Sequence, residues 1–210
     1  IPSVPQQAAW LVLRCFYVSL VVVWVFLAQP DAQTTQSEPA QLLCPEFLGI
    51  GVATNVPFCD VLIQVDPELG IRVVLPPRRG ESTLSFNLHN RHTYSQLEEL
   101  EGRAYTQYLA AISMATMEGE IIGRGVVLSE FREAVDLVDR VLGDIEASGL
   151  KAVAPIGVER VSLAVPENLD ELVIVGQGLE VMRVDGRDVV SALGRPVAVL
   201  SNAMIEYRPR

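Results

Sequence analysis

The stretch of sequence that decides the fold is AYTQYLAAISMATMEGEIIGRGVVLSE, residues 104–130. It contains two apolar runs, Ala104–Thr116 and Ile121–Glu130, on either side of the polar turn sequence MEGE. Both alternating sets of the first run are fairly apolar, which is typical of a strand in the middle of a sheet. The two sets are Tyr108, Ala110, Ile112 and Met114, and Leu109, Ala111 and Ser113. We therefore predict a long β-hairpin with its turn at MEGE.

The residues that follow the hairpin change their period. From Phe131 to Leu142 the apolar positions recur at helical spacing, and charged residues occupy the other side. The apolar stripe comprises Ala134, Leu137, Val138, Val141 and Leu142. Gly143 then supplies a residue that ends helices. This pattern predicts one short amphipathic helix over residues 131–142.

Further strand-like runs lie on both sides of this centre. Val61–Val65 and Ile71–Leu75 flank DPELG, which predicts a hairpin, and Thr83–His89 alternates apolar with polar residues. Four more β-rich runs follow, with GQG and Asp185-Gly186 as turns: Val158–Val165, Glu171–Val175, Leu179–Val184 and Pro196–Tyr207. This spacing predicts a mainly β fold, an antiparallel β-sandwich over residues 46–210. A boundary near residues 143–152 leaves open a division into two smaller β modules.

A second feature, the apolar segment AAWLVLRCFYVSLVVVWVFLA at residues 8–28, sets the topology. As a helix it is about 31 Å long, which matches a hydrocarbon core about 30 Å thick. A cleaved signal peptide is the alternative, but the residues after it give a poor small-x-small cleavage site. We predict a single transmembrane helix at 8–28, used as a signal anchor. Residues 29–45 are polar, with proline near both ends, and predict an extended linker.

The charges beside the predicted span indicate its orientation. Arg14 lies towards its N-terminal side, whereas Asp31 and Glu38 follow it and the next basic residue is Arg72. Because basic residues remain in the cytoplasm, residues 1–7 are predicted to form a short cytoplasmic N-terminus. The β domain is then periplasmic, and the protein belongs to the bacterial inner membrane.

Composition excludes some partners. The 210 residues carry a formal net charge of −10, and 15 of the 16 basic residues are arginine. Nucleic acid favours clustered cations on a basic protein, so no nucleic-acid partner is expected. The cysteines fit an oxidising compartment, since Cys44 and Cys59 are 15 residues apart and both in the predicted exterior. A disulfide between them and a pair of free buried thiols both remain open.

Catalytic and cofactor patterns are weak. His89 and His92 are the only histidines, and a strand places a His-x-x-His pair on opposite faces, which disfavours a metal site. No G-x-S-x-G elbow is present, and Gly49-Ile50-Gly51 lacks the third glycine of a dinucleotide fingerprint. The acidic residues near 136–146 and 185–188 lack EF-hand spacing. We expect no enzyme activity, no metal and no cofactor.

The remaining candidates are contact residues. Arg78 and Arg79 follow two prolines in a predicted loop, and Arg208 and Arg210 end the chain, so we predict contacts with partner carboxylates or lipid headgroups. Within the span, Ser19 lies four residues after Cys15 and offers a small surface to another helix. The span's other predicted contacts with lipid or with neighbouring helices are Trp10, Arg14, Tyr17 and Trp24.

Two hypotheses of different class follow. The first is a non-catalytic accessory subunit of a multi-subunit bacterial membrane complex, for example a respiratory or photosynthetic one. Its helix and its periplasmic domain would both pack on integral membrane subunits and contact lipids. The alternative is a stand-alone membrane-anchored binding or sensory domain, which predicts a concave apolar pocket with convergent polar groups.

Overall fold

A computed structural model describes residues 34–141 and 151–210, and these residues form two antiparallel sheets with few helices. Sheet A contains β1 (Gln36–Pro39), β3 (Phe47–Ile50), β4 (Pro57–Leu62), β6 (Ser82–Ser95), β9 (Lys151–Val165) and β12 (Pro196–Tyr207). Sheet B contains β2 (Gln41–Leu43), β5 (Ile71–Val74), β7 (Thr106–Ala115), β8 (Ile121–Phe131), β10 (Glu171–Arg183) and β11 (Gly186–Val190). The predicted mainly β fold is confirmed.

The order of the strands shows that the chain crosses repeatedly between the two sheets. Sheet A runs β3-β4-β12-β6-β9, with β1 also on β12, and sheet B runs β2-β5-β10-β7-β8, with β11 also on β10. The predicted central hairpin is β7–β8, in which Ala110 faces Val127 across the ladder. Strands on both sides of residues 142–150 pair with each other in both sheets, β9 with β6 and β10 with β7. Residues 35–210 therefore form one compact unit.

The core lies between the sheets and follows the period of two that strands impose. On β6, Leu84, Phe86 and Leu88 are fully buried and belong to the main apolar cluster. Ile112 on β7 and Leu172 on β10 face them from sheet B. The residues between these positions on β6 point to the outer face of sheet A, and the candidate site depends on this separation.

The predicted hairpin of Val61–Val65 and Ile71–Leu75 is wrong. β4 pairs with β3 and β12 in sheet A, whereas β5 pairs with β2 and β10 in sheet B. A 3-10 helix, Pro67–Leu69, stands in the connection, and Asp66 caps it by accepting from the backbone N–H of Glu68. The turn residues therefore carry the chain from one sheet to the other, because each strand finds a better-matched partner far away in sequence.

The predicted helix over 131–142 is also wrong. Phe131 ends β8, and only Ala134–Asp136 are helical, as a single 3-10 turn. The next residues, 137–141, run extended and make isolated bridges between Leu137 and Ile156 and between Val141 and Gly51. We call them the strap. Hydrogen bonds to distant residues stabilise the extended conformation more than the helix that the apolar spacing predicted. The Asp139 carboxylate accepts from the backbone N–H groups of Ala53 and Thr54 at 3.1 and 2.9 Å. The short α-helix of the described chain is α1 (Gln96–Leu100).

Two further boundaries differ from prediction. The GQG sequence is a β-bulge inside one continuous strand, β10, rather than a turn. The predicted linker, 29–45, already contains β1 and β2, which lie on the edges of β12 and β5. β1 is exposed along its whole length, so its sequence lacks the alternating apolar residues that would predict a strand.

The sandwich has two ends. At the proximal end, where the chain leads in at Thr34, Gln36 pairs with Tyr207 and Thr83 with Glu206. At the distal end, β6 reaches His92 and β12 begins at Pro196. In residues 34–141 and 151–210 no helix has the length and hydrophobicity to cross a membrane, and the predicted span at 8–28 lies outside the described residues.

Candidate functional site

The distal end of the sandwich contains a cleft of about 360 Å³, lined by residues of both sheets. Four arginines reach it from four different elements: Arg91 from β6, Arg103 from the loop after α1, Arg183 from the end of β10, and Arg195 from the loop before β12. We call it the arginine cleft. Four arginine residues in one lining are notable in a protein with a net charge of −10, although the Arg91 side chain has the parity of His89 on β6 and pairs with Asp60 on the outer face of sheet A.

Three of these arginines have a carboxylate partner. Arg91 Nε donates to both oxygens of Asp60 at 3.1 and 3.2 Å, and burial raises the pKa of Asp60 although Arg91 opposes the shift. Arg103 pairs with Glu101 and Arg183 with Asp188. Arg195 has no carboxylate partner among the residues that the structure describes, and Glu98 is the one acidic residue of the described lining.

His92 lines the buried part of the cleft and is only 5% exposed. Its ring stacks on Phe131 with centroids 3.8 Å apart, and its Nδ1 lies 2.5 Å from the Tyr108 hydroxyl oxygen. Its Nε2 is buried without a hydrogen-bond partner among the described residues. Burial, helped by the charge of Arg183, lowers the pKa of His92 to about 4, so the ring is neutral at pH 7.

The position of the proton between Tyr108 and His92 determines whether Nε2 of His92 is a hydrogen-bond donor or an acceptor. Burial raises the pKa of Tyr108 to about 12, so the phenol keeps its proton at pH 7. A phenol is a stronger acid than a neutral imidazole N–H, and the hydroxyl therefore donates to His92 Nδ1. The ring hydrogen is then on Nε2, which makes this nitrogen an unpaired donor beside the arginines of the lining. All of these groups suit a ligand that accepts hydrogen bonds.

His89 lies on the other face of the same strand, as the spacing predicted. Its Nδ1 donates to the carbonyl oxygen of Gly157 at 2.6 Å, and its Nε2 accepts from Ser201 Oγ at 2.7 Å. Gly157 has φ +66 and marks the bulge of β9 that turns its carbonyl towards the ring. Burial lowers the pKa of His89. His89 and Ser201 are 1% and 2% exposed, so this pair is closed to substrates.

A second concavity, of about 400 Å³, is apolar and lies beside β12 near the proximal end. Pro39, Ala40, Leu42 and Phe47 contribute to its lining, together with Cys44 and Cys59. These two cysteines are joined by a disulfide with Cα atoms 6.0 Å apart, which is one of the two states that the sequence left open. The pocket has no charged group in its described lining.

The predicted contact arginines that the structure describes differ in exposure: Arg78 is buried, whereas Arg79, Arg208 and Arg210 are exposed. Arg78 is 2% exposed and donates to the carbonyl oxygens of Pro166 and Leu169 at 2.5 and 2.6 Å, so the predicted external contact is wrong for this residue. Burial lowers the pKa of its guanidinium. Arg79, Arg208 and Arg210 are exposed at the proximal end, and a contact through them stays a prediction. Arg14, Trp10, Tyr17, Ser19 and Trp24 lie outside the described residues.

No group of three or more His, Cys, Asp or Glu side chains in residues 34–141 and 151–210 is arranged to hold a metal ion. The arginine cleft itself escaped sequence reasoning, because its four arginines are spread over more than 100 positions and no local motif connects them. They meet because β6 and β12 pair in sheet A and sheet A stacks on sheet B, which contains β10.

No family model matches this sequence, and none of the curated proteins matches it. Among solved structures, the K1 cleaved adhesin domain of Lys-gingipain from Porphyromonas gingivalis W83 aligns at 7% identity and a TM-score of 0.33, over 84% of this chain and 99% of that one. The C-terminal family 22 carbohydrate-binding module of Clostridium thermocellum Xyn10B aligns at 10% identity and a TM-score of 0.28, over 86% and 96%. At such scores no argument about fold or function rests on these similarities.

Proposed function

We propose that this chain is a non-catalytic binding domain, held at the bacterial inner membrane by residues 8–28, and that its arginine cleft binds an anionic group. The observation that carries the proposal is one lining that contains Arg103, Arg183 and Arg195 together with His92, whose Nε2 has no partner among the described residues. The binding-domain hypothesis predicted a concave apolar pocket with convergent polar groups, and the arginine cleft supports it through its polar groups rather than through an apolar lining.

The electrostatics give the physical reason. The charge of Arg195 has no carboxylate partner among the described residues, and the buried Nε2 donor of His92 carries a desolvation cost because it has no partner there either. An anion that binds there relieves both. Guanidinium groups also hold carboxylate, phosphate and sulfate through paired hydrogen bonds, so geometry as well as charge suits this class.

The proposal is tested by thermal unfolding of the full-length chain in non-ionic detergent, with acetate, phosphate and sulfate compared at constant ionic strength. A ligand that binds the folded state stabilises it by mass action, so we expect at least one anion to raise the melting temperature. The double variant R183Q/R195Q should lose this dependence. R124Q/R187Q, which removes two arginines outside the cleft, should keep it; equal loss in both variants would contradict a cleft-specific site.

The accessory-subunit function is retained as a second proposal because of one observation. β3 is an end strand of sheet A, and the chain around it exposes Leu43, Phe47, Ile50 and Val52 by 41–56%. An uncovered edge strand with exposed apolar side chains is typical of a surface that packs on another protein. We propose an integral membrane subunit as that partner.

Photo-crosslinking in native membranes tests this second proposal. A photoreactive residue at Phe47 should trap a membrane subunit in constant stoichiometry, whereas one at Val189, which is 66% exposed on β11, should not. Crosslinks of equal yield at both positions, or none at Phe47, would remove the subunit function while leaving anion binding untouched.

A further inference from the structure

The outer face of the β7–β8 hairpin carries apolar side chains that the rest of the described chain leaves uncovered. Leu109 is 41% exposed, Val126 is 49% exposed and Leu128 is 62% exposed. The ladder places Leu109 beside Leu128, and Ala111 beside Val126, so these residues form two adjacent rows. On the outer face of sheet A, by contrast, the strap covers apolar residues. Exposed apolar side chains that are grouped on one surface are typical of a contact with another protein.

Charges of opposite sign stand at the two ends of this apolar group. Arg124, Val126, Leu128 and Glu130 follow one another on the outward side of β8, because outward residues of a strand are two positions apart. Arg124 and Glu130 are thus about 20 Å apart along the strand. Arg124 forms no ion pair with the described residues. We call these four residues, together with Leu109 and Ala111, the hairpin face.

A two-fold axis makes this order of residues complementary to itself. If the axis lies in the plane of contact and crosses β8 at the level of Val127, two copies of β8 run antiparallel, face to face. Arg124 of one copy then faces Glu130 of the second copy, and the same contact is repeated on the other side of the axis. An axis that runs along β8 would instead place two copies of Arg124 together. The charges therefore favour the antiparallel arrangement.

The apolar residues between the charges also fit in the antiparallel arrangement. The row of Leu109 and Leu128 in one copy meets the row of Ala111 and Val126 in the other. Larger side chains thus oppose smaller ones, which lets the two faces interdigitate at the usual sheet spacing of about 10 Å. Shape and charge select the same axis.

The existing contacts of Glu130 leave room for a second guanidinium. One of its carboxylate oxygens accepts from Arg132 at 2.7 Å, and the other accepts from Tyr105 and Gln107 at 3.3 Å. Both side chains of the Glu130–Arg132 ion pair are exposed, so this pair contributes little to stability. A carboxylate has about four lone-pair sites, and Arg124 of another copy can use one that is left.

We propose that a second copy of this chain binds the hairpin face, and that the two copies form a symmetric dimer with antiparallel β8 strands. The apolar part of the contact is small, so the dimer is weak and depends on concentration. The inference is independent of anion binding, since no residue of the hairpin face lines the arginine cleft.

Sedimentation equilibrium of the full-length chain in density-matched non-ionic detergent tests the dimer by charge reversal. R124E places like charges together at both ends of the axis, so we expect the dimer Kd to rise at least about tenfold. R124E/E130R restores opposite charges and should return the Kd to within about threefold of the wild type. L128D should also raise the Kd at least about tenfold, because it takes a charge into the apolar row. L97D, which changes a 62% exposed leucine on α1, should match the wild type.

Each contrary outcome overturns a stated part of the inference. A wild-type chain that stays monomeric at every concentration overturns the second copy as the occupant, and would leave the hairpin face to a different protein. A dimer that persists in both R124E and L128D forms elsewhere, for example through the predicted span, and overturns the hairpin face. A loss in R124E that R124E/E130R does not recover overturns the antiparallel arrangement. Circular dichroism confirms that each variant is folded before its Kd is compared.

Discussion

The two histidines of β6 lie on opposite faces of the strand and differ in their hydrogen-bond partners. His89 and His92 are both almost fully buried, yet each ring nitrogen of His89 has a partner, whereas Nε2 of His92 has none among the described residues. The first ring closes a network between β9 and β12 under an outer face that the strap helps to cover, since Val141 packs there with Phe58 and Val199. The second ring lies in the buried part of the arginine cleft. The same residue type thus stabilises the sandwich on one face and leaves a donor for a ligand on the other.

The largest expected effect comes from replacing the two histidines in turn. H89L leaves the Ser201 hydroxyl and the Gly157 carbonyl buried without partners, so we expect it to lower the free energy of unfolding by about 3 kcal/mol. H92L removes a nitrogen that has no partner and orphans only the Tyr108 hydroxyl, so its cost should be about 1 kcal/mol. Urea unfolding measures both.

The double variant H89L/S201A is the control for this comparison. Removing both partners of a buried hydrogen bond costs less than removing one, so S201A should restore part of the loss in H89L. Equal losses in H89L and H92L would show that the closed and open faces do not differ energetically.

The disulfide gives the next effect, beside the middle of β12, where Cys59 pairs with Leu200. C44S/C59S opens a loop of 15 residues, which in the chain-entropy model lowers the free energy of unfolding by about 3 kcal/mol. Because the arginine cleft is at the distal end, anion affinity should stay within twofold of the wild type. Reduced affinity in this variant would mean that the disulfide and the arginine cleft are energetically coupled.

The strap is tested through Asp139. Burial alone raises the pKa of this carboxyl, but hydrogen bonds from Thr54, Ala53 and Arg140 outweigh it and hold the pKa at about 2. The folded value lies below the unfolded value, so the stabilisation is present above about pH 4 and is lost as the pH falls towards 2. D139N should therefore cost about 2 kcal/mol at pH 7 and about half as much at pH 3.

Urea unfolding of D139N at several pH values measures this difference, and hydrogen exchange adds a local readout. Loosening the strap should speed amide exchange near Phe58 and His89 and leave exchange near His92 unchanged. A difference in stability that does not depend on pH would show that the carboxylate charge has no part in holding the strap.

The last expected effect is an acid slope, which is gradual and is measured per pH unit. His92 has a folded pKa of about 4 against an ordinary value of 6.5, so the unfolded chain binds the extra proton first as the pH drops. Stability should fall by up to about 1.4 kcal/mol per pH unit from this ring between pH 6.5 and 4. H92L should flatten that slope in a series of urea titrations. The burial of His89 acts in the same direction, so some slope remains in H92L.

The sequence was informative where one side of a strand is buried. Alternation on Thr83–His89 and the double apolar pattern of β7 predicted strands that the structure contains, because burial imposes period two directly on the residues. The sequence did not predict β1 and β2. These edge strands are held by backbone hydrogen bonds and expose their polar side chains. The sequence misled for residues 131–142, where apolar residues at helical spacing serve an extended strap that is fixed by Asp139.

The candidate site was less predictable than the fold for a related reason. The opposite placement of His89 and His92 follows from strand geometry alone, and the sequence predicted it. The meeting of Arg91, Arg103, Arg183 and Arg195 in one lining depends on strand pairing within each sheet and on how the two sheets stack, and both are decided by packing far from these residues. Arg78 shows the reverse error, since its loop folds back and buries a side chain that the sequence placed at an exposed tip.

The opposite placement of the chain's lead-in and the arginine cleft also has a mechanical consequence. β1 runs antiparallel to the end of β12, and the start of β12 adjoins the cleft. A pull between Thr34 and a ligand held at Arg195 acts along these strands, so the hydrogen bonds between them are loaded together in shear rather than opened one at a time. A load applied between Thr34 and Arg195 would therefore be resisted by the β1–β12 ladder as a whole.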